Sequence, residues 1–516
     1  MLKQLIVNTG SNMAQLFVSM VVTFVMAPIY LKMMGHHDYG LREMVLAIVG
    51  YMGMLDLGMR PTVSRFASMH NALRDRESLL IVYSSSLVFL TIVGTFLGAF
   101  FWVWAISFPE VLNPEGGDER VKYTLFLLLV GAQIFFSFPM FVAESYLEGL
   151  QRYYIKNMIN IAFTILIALI CYITMTPQNA LVLLVGLGAL FQAIRLLLFG
   201  GMLMRPAIGS IYPNFRYFSR GKLREMLSFG FKSFIQGAAS RVERMSDRIV
   251  IGSILGPAAI PVYTIPSTLV GYISSITMTL THAFMPLFSD LSARNQHGRI
   301  KSIYMLSSKL VVGLIIPMAV GICIVGGPFI ARWMPGEFDP ALVDAILVLL
   351  VLYLCVPMLN PFVSRYLTAI NKHGIFAKVA PPAALVNVGL SIWFVYEFGV
   401  IGAALGSVFP VFVVMPIFLK AVAGQIGITM LEYVRSVILP AFFPVSIMGG
   451  GLIWWRYQYG LETYFEIVGA VLVSAMIYGG IYWTAALNRE EREFFLRVIP
   501  VKKLLRRPTV KNKGKG

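Results

Sequence analysis

Between Ser240 and Gly252 the chain reads SRVERMSDRIVIG, which sets Arg241, Glu243, Arg244, Asp247 and Arg248 close together. Guanidinium groups can grip phosphate oxygens through paired N–H donors, and neighbouring carboxylates can carry protons or cations. At about 100° per residue, a helix brings Arg241, Arg244 and Arg248 within about 60° of one another. Lys232, Gln236, Ser240, Glu243 and Asp247 form the adjoining stripe, and Phe231, Phe234, Ile235, Ala238, Val242, Met245 and Ile249 cover the rest. Two readings compete. In one, Arg244 pairs with Asp247, and Arg248 with Glu243 or a neighbouring helix, as a structural ion network. In the other, the arginines form an anion site in a hydrated cavity, because three arginines outnumber two carboxylates and Lys232 adds a further cation. Arg241, near the middle of its segment, is the principal candidate.

The elements that hold these residues follow from composition. Of 516 residues only 13% are charged and 58% are hydrophobic, with mean hydropathy +0.76. Apolar runs of about 20 residues recur throughout, which predicts an all-α polytopic membrane protein. The polar stretches Met204 to Leu227 and the tail after Leu487 lack the apolar content for a core of their own. Uninterrupted apolar windows give about 14 transmembrane helices, and the opening stretch lies in the seventh, 228–255. A two-sided helix of this kind must line water or protein, since one charge at the bilayer centre costs about 2.5–3.5 kcal/mol on insertion scales. The first helix carries Asn8, Asn12 and Gln15 and lacks a small-residue cleavage site, so it reads as retained.

Cations in alternate loops number roughly thirty against about five, which predicts that both termini are cytoplasmic. The acidic loop FPEVLNPEGGDER then falls outside. The net charge of +17 belongs to these membrane-flanking cations, which meet anionic lipid heads, and no soluble basic module suggests nucleic acid. Cys171, Cys323 and Cys355 lie in apolar spans with no disulfide or metal spacing, and His36 and His37 read as solvated, so no metal is expected. Arg195 and Lys309 lie in the cytoplasmic-side halves of their spans, where long side chains can snorkel.

A shift of about 220 residues lays MMGHHDYGLREMVLAIVGY on ILGPAAIPVYTIPSTLVGY, so Gly35 meets Gly256, and Gly50, Tyr51 meet Gly271, Tyr272. YLEGLQRYY similarly falls on YLTAINKHG. Six helices per copy make these parallel repeats, an arrangement known among transporters whose site lies between the halves. The expected organisation is an N-lobe at 1–204, a cytoplasmic linker at 205–227 and a C-lobe at 228–423 around a central cavity. An added helix pair at 424–487 and a basic cytoplasmic tail at 488–516 follow. In the first copy Val22, Thr23, Met26 and Ala27 stand where Glu243, Arg244, Asp247 and Arg248 stand in the second, so the charges belong to one half.

YMGMLDLGMRPTVSRFAS, with Asp56, Gly58 and Arg65, and SDRIVIGSILGPAAIPVYTIPSTLVG, with Asp247, Gly256 and Tyr263, resemble the polysaccharide transport branch of the multidrug/oligosaccharidyl-lipid/polysaccharide exporter superfamily. Pro261 and Val262 replace the glycine usual before that tyrosine, which stiffens the turn. The resemblance implies a flippase, and not an enzyme, in the bacterial cytoplasmic membrane. Such a protein carries a polyprenyl-diphosphate-linked oligosaccharide outward by alternating access, for polysaccharide, O-antigen or exopolysaccharide biosynthesis. Its expected partners are that glycan, membrane lipids and other polysaccharide assembly proteins. Arg241, Arg244, Arg248 and Lys232 would hold the diphosphate, and Asn12, Gln15, Gln236, Asn160 and Asn387 would contact sugars. No cofactor is expected; Asp247, Glu243 and Asp56 are the coupling candidates for a proton or sodium gradient, and the membrane potential is the alternative drive. A cation-coupled multidrug antiporter of the same superfamily is the second reading, although the first span offers no acidic residue. A glycan polymerase or ligase ranks third, since the outer loops are short.

Overall fold

The computed structural model describes residues 2–107, 119–206, 208, 210–282, 284–294, 296–370, 372 and 374–498. The acidic loop of the sequence lies largely outside the described residues, as does most of the basic tail. Helices account for nearly all of the described chain, because in lipid a helix satisfies every backbone donor and acceptor within one segment. In order they are α1 (Leu2–Met52), α2 (Met59–Ala72), α3 (Arg76–Ser107), α4 (Arg120–Gly149), α5 (Tyr153–Thr174), α6 (Ala180–Met204), α7 (Arg220–Leu255), α8 (Ile260–His282) and α9 (Phe284–Ala293). There follow α10 (His297–Trp333), α11 (Pro340–Cys355), α12 (Val363–Ala369), α13 (Gly374–Phe398), α14 (Val400–Ile426), α15 (Met430–Tyr433), α16 (Leu439–Tyr459), α17 (Tyr464–Ile481) and α18 (Arg489–Val498).

Among the described residues 12 helical segments are long and apolar enough to cross a membrane. The expectation of about 14 differs at two places. The segment Val7–Asp56 holds both of the first two expected spans, broken at Gly35 (φ 71°, ψ 171°). The charges of α7 keep it out of the twelve. Gly256, the residue that the 220-residue shift sets on Gly35, has nearly the same backbone conformation, φ 87° and ψ 160°.

Two compact units divide the chain, residues 1–264 with 376–406, and residues 265–375 with 407–516. In the first, α4 packs between α3 and α6 around Phe101, Phe126, Leu127, Val142, Tyr146 and Phe199, each essentially inaccessible. Small residues let these backbones approach, as expected where helices associate in lipid by close packing. A Cβ on Gly98 would stand 2.9 Å from the Gly131 carbonyl oxygen, and the reverse distance is also 2.9 Å. Tyr146 Oη donates to Leu79 O across the core at 3.2 Å.

One glycine contact sets the angle between α2 and α7. Gly58 has φ 75°, and a Cβ there would collide with the Gly230 carbonyl, while a Cβ on Gly230 would stand 2.6 Å from Leu57 O. Asp56 fixes the turn before it, accepting from Gly58 N at 2.9 Å and facing Arg60 Nε at 3.3 Å. Gly58→Ala is expected to lower stability by about 1–3 kcal/mol through left-handed strain, with the backbone collision in addition. The check is a thermal melt in detergent, with Gly53→Ala, where a Cβ meets nothing within 4 Å, as the neutral control.

In the second unit an aromatic cluster of Phe288, Tyr304, Phe362, Tyr366 and Tyr433 forms the core. Two of its hydroxyls are tied down: Tyr304 Oη donates to Asn360 Oδ1 at 2.5 Å and Tyr433 Oη donates to Leu359 O at 2.9 Å. Tyr478 and Tyr482 donate to the α10 carbonyls of Gly313 and Lys309 at 2.7 and 2.8 Å. Lys309, 8% exposed, is gripped by both Glu491 oxygens of α18 at 2.9 and 2.8 Å instead of snorkelling to an interface. Arg456 of α16 ties Asp344 of α11 and the Ile324 carbonyl of α10 together.

Candidate functional site

The site lies in the first unit, where α7 seats against the part of α1 beyond Gly35. Ser219 starts α7 by accepting from Lys222 N at 3.2 Å. Gly50 leaves room for the Met245 thioether and Gly252 for Met44, whose sulfur would lie 2.7 Å from an added Cβ. Tyr51 Oη donates to Val242 O at 2.9 Å. Steric fit and this one hydrogen bond therefore fix both the depth and the rotation of the charged face.

On that face the arginines have different partners. Arg241 Nη1 donates to the Gly53 carbonyl at 3.4 Å, and Arg244 is exposed. Among the described residues no carboxylate lies within 4.0 Å of either. Arg248 Nη1 instead pairs with Glu43 Oε2 at 3.0 Å, and the other Glu43 oxygen accepts from Arg42 at 2.8 Å. Asp247 is 2% exposed and turns away from the arginines: Tyr263 Oη donates to it at 2.5 Å and Ser391 Oγ at 3.1 Å. Asn387, 1% exposed, lies one turn from Ser391 on α13. Glu243 is half-buried beside them. The side chains of Lys232 and Gln236 fall outside the described residues.

The amides of the first half belong to a different cluster. Asn157 Nδ2 donates to Asn12 Oδ1 at 2.6 Å and to Ser11 Oγ at 2.9 Å, and Asn160 Nδ2 donates to Glu144 Oε1 at 3.1 Å. Gln15 is half-buried on α1. Two cations rest on aromatic faces, Arg60 at 3.1 Å from the Phe141 centroid and Arg195 at 5.4 Å from that of Phe163. His37 lies 3.4 Å from Asp38, which Lys122 holds at 2.6 Å, and the described residues contain no group of three metal-ligating side chains. Glu43 and Ser391 were missed from sequence. Glu43 reads there as half of a span-end pair with Arg42, and nothing near Ser391 sets it apart from other serines in apolar helices.

Residues 5–292 match the family described as polysaccharide biosynthesis protein, more than half of the chain. The chain belongs to that family. It is 21% identical over 378 residues to a Shigella flexneri protein named as an O-antigen transporter, covering 72% of this chain and 86% of that one. It is 22% identical over 227 residues to a Haloferax volcanii protein named as a low-salt glycan biosynthesis flippase, covering 44% and 48%. In structure it resembles the inward-facing form of a multidrug resistance transporter of the MATE family (TM-score 0.67, 15% identity, 80% and 98% covered). It also resembles the lipid II flippase MurJ in an inward closed form (TM-score 0.65, 15% identity, 94% and 99% covered). The two named sequence relatives are a transporter and a flippase, and the apolar helices make this chain a multi-pass membrane protein.

Proposed function

We propose that the protein is a flippase that moves a polyprenyl-diphosphate-linked oligosaccharide from the cytoplasmic to the outer leaflet by alternating access, for surface polysaccharide or O-antigen assembly. The observation that carries this reading is the α7 face, where Arg241 spends one donor on a backbone carbonyl and keeps the rest of its fork for a ligand. A diphosphate needs such forks; a cationic drug would be repelled by them. Relatives named for O-antigen and glycan transport support the same substrate class. An apolar groove of about 650 Å³ along α10, α16 and α17, lined by Leu314, Met318, Phe329, Leu452, Val471 and Tyr478, offers the isoprenoid chain a lipid-like path. Only the head group then has to meet charge.

The remaining assignments extend this proposal. The basic loops argue for both termini in the cytoplasm, the 220-residue shift for two lobes with the boundaries read from sequence, and the family resemblance for a bacterial cytoplasmic membrane. Asn12, Gln15, Gln236, Asn160 and Asn387 would meet sugars, and Arg244, Arg248 and Lys232 would assist Arg241. Asp247, buried and held by hydroxyls, is the first choice for proton or sodium coupling ahead of Glu243 and Asp56, since Asp56 already fixes a turn. Other polysaccharide assembly proteins would supply and consume the substrate.

The test is translocation in proteoliposomes, reading far-leaflet accessibility of a short-chain polyprenyl-diphosphate oligosaccharide, with ethidium efflux in parallel. Movement of the glycan lipid without ethidium is the expected outcome. Ethidium movement alone would establish the antiporter reading, which the MATE-like fold keeps in view.

A further inference from the structure

A second pocket lies in the first unit, away from Arg241, where α2 packs on the start of α7. It has a volume of about 300 Å³ and is lined by Arg65, Phe66, Met69, Glu225, Ser228 and Phe229, with Lys222 beside it over the Phe66 ring. The two cations, Arg65 and Lys222, rest on aromatic faces. The Arg65 guanidinium sits 4.1 Å from the Phe229 centroid, and Lys222 Nζ sits 4.6 Å from that of Phe66. The two rings meet edge to face at 6.2 Å, so the cations are fixed relative to each other. Among the described residues no carboxylate lies within 4.0 Å of Arg65. Among the described residues the carboxylate partner of Lys222 is Glu225, three residues on, at 3.0 Å, whose own side chain is exposed. His70 stacks on Phe66 at 6.3 Å, 7% exposed, with neither ring nitrogen hydrogen-bonded. Burial, with Lys222 beside it, holds that imidazole below its usual range and therefore neutral, so it adds no charge.

We propose that this pocket binds a lipid-borne phosphate group at the membrane surface, with Arg65 and Lys222 on its oxygens and the lipid chain left outside. The volume suits a phosphate or diphosphate head. Position gives the site a use. It begins next to the Gly58–Gly230 crossing, and Phe229 is about 18 Å along α7 from Arg241 at 1.5 Å per residue. A head group captured here is set on the helix that carries the principal arginine. That use, and the substrate as source of the phosphate, rest on the flippase reading; an anionic phospholipid as source does not.

The experiment compares the full-length protein with Arg65→Ala, Lys222→Ala and the double variant in neutral-lipid nanodiscs. Retention of geranylgeranyl diphosphate and of phosphatidylglycerol is titrated by native mass spectrometry. Each cation removed is expected to weaken binding about tenfold, and Arg65→Lys to restore part of it. Weakening for both probes, or for either alone, supports the pocket and names its source. Unchanged binding of both probes by the double variant overturns it. Arg65 is exposed, so Arg65→Ala is expected to melt like wild type, and its loss of binding is the readout free of any stability change at Lys222. Translocation by Arg241→Ala separates the two ideas. If Arg241→Ala is inactive while the double variant binds normally, this pocket falls and the flippase reading stands. If Arg241→Ala translocates while the double variant has lost binding, the central site falls and the pocket stands.

Discussion

In Arg241→Ala, glycan translocation is expected to fall to background while the protein accumulates in the membrane at wild-type level. The guanidinium is held by a single backbone carbonyl at 3.4 Å and carries no carboxylate partner among the described residues, so its removal strands no buried charge and the fold should tolerate it. What is lost is charge-assisted bonding to the diphosphate, about 1.5–3 kcal/mol per bond. Two such bonds correspond to roughly a 10²- to 10⁴-fold loss. Arg241→Lys should recover part of it, because the charge returns without the planar fork. Arg248→Ala is the informative contrast. Arg248 is committed to Glu43, so its loss should disturb stability more than substrate affinity. Normal export by a well-expressed Arg241→Ala would remove Arg241 from the site.

Asp247→Asn is expected to uncouple transport from an imposed ion gradient. The carboxylate is 2% exposed and accepts from Tyr263 and Ser391, so its charge is compensated by two hydroxyl dipoles. Asparagine keeps the shape and one acceptor but can neither release a proton nor neutralise a cation. In proteoliposomes the variant should translocate at one rate with or without a proton or sodium gradient, whereas wild type accelerates. Retained gradient dependence would move coupling elsewhere. Loss of all dependence in wild type would favour the membrane potential, which already biases two outward-moving negative charges by about 4.6 kcal/mol per 100 mV.

Local and periodic features were legible in the sequence. The helical class follows from apolar runs, and the α7 stripe from a 100° winding. The 220-residue shift picked out Gly35 and Gly256, which do share a positive-φ, extended-ψ conformation open mainly to glycine. The partners of the charges were not legible. Asp247 meets Ser391 144 residues away, and Arg248 meets Glu43 on another helix. Contacts of that range leave no imprint on neighbouring residues, so the sequence could offer Arg248 a neighbouring helix as an alternative to Glu243 but could not single out Glu43, and it paired Arg244 with Asp247, which faces Tyr263 and Ser391 instead. Lys309 shows the same limit, since an ordinary snorkelling lysine by position is in fact gripped from 182 residues downstream.

That grip bears on how the chain is made. Lys309 is made 182 residues ahead of Glu491. At about 5–20 residues per second the ammonium waits roughly ten to forty seconds for its counter-charge. Until then the second unit carries a buried ammonium without its counter-charge, the sort of defect that membrane quality control detects. Chains released before α18 is complete carry a built-in mark of being unfinished.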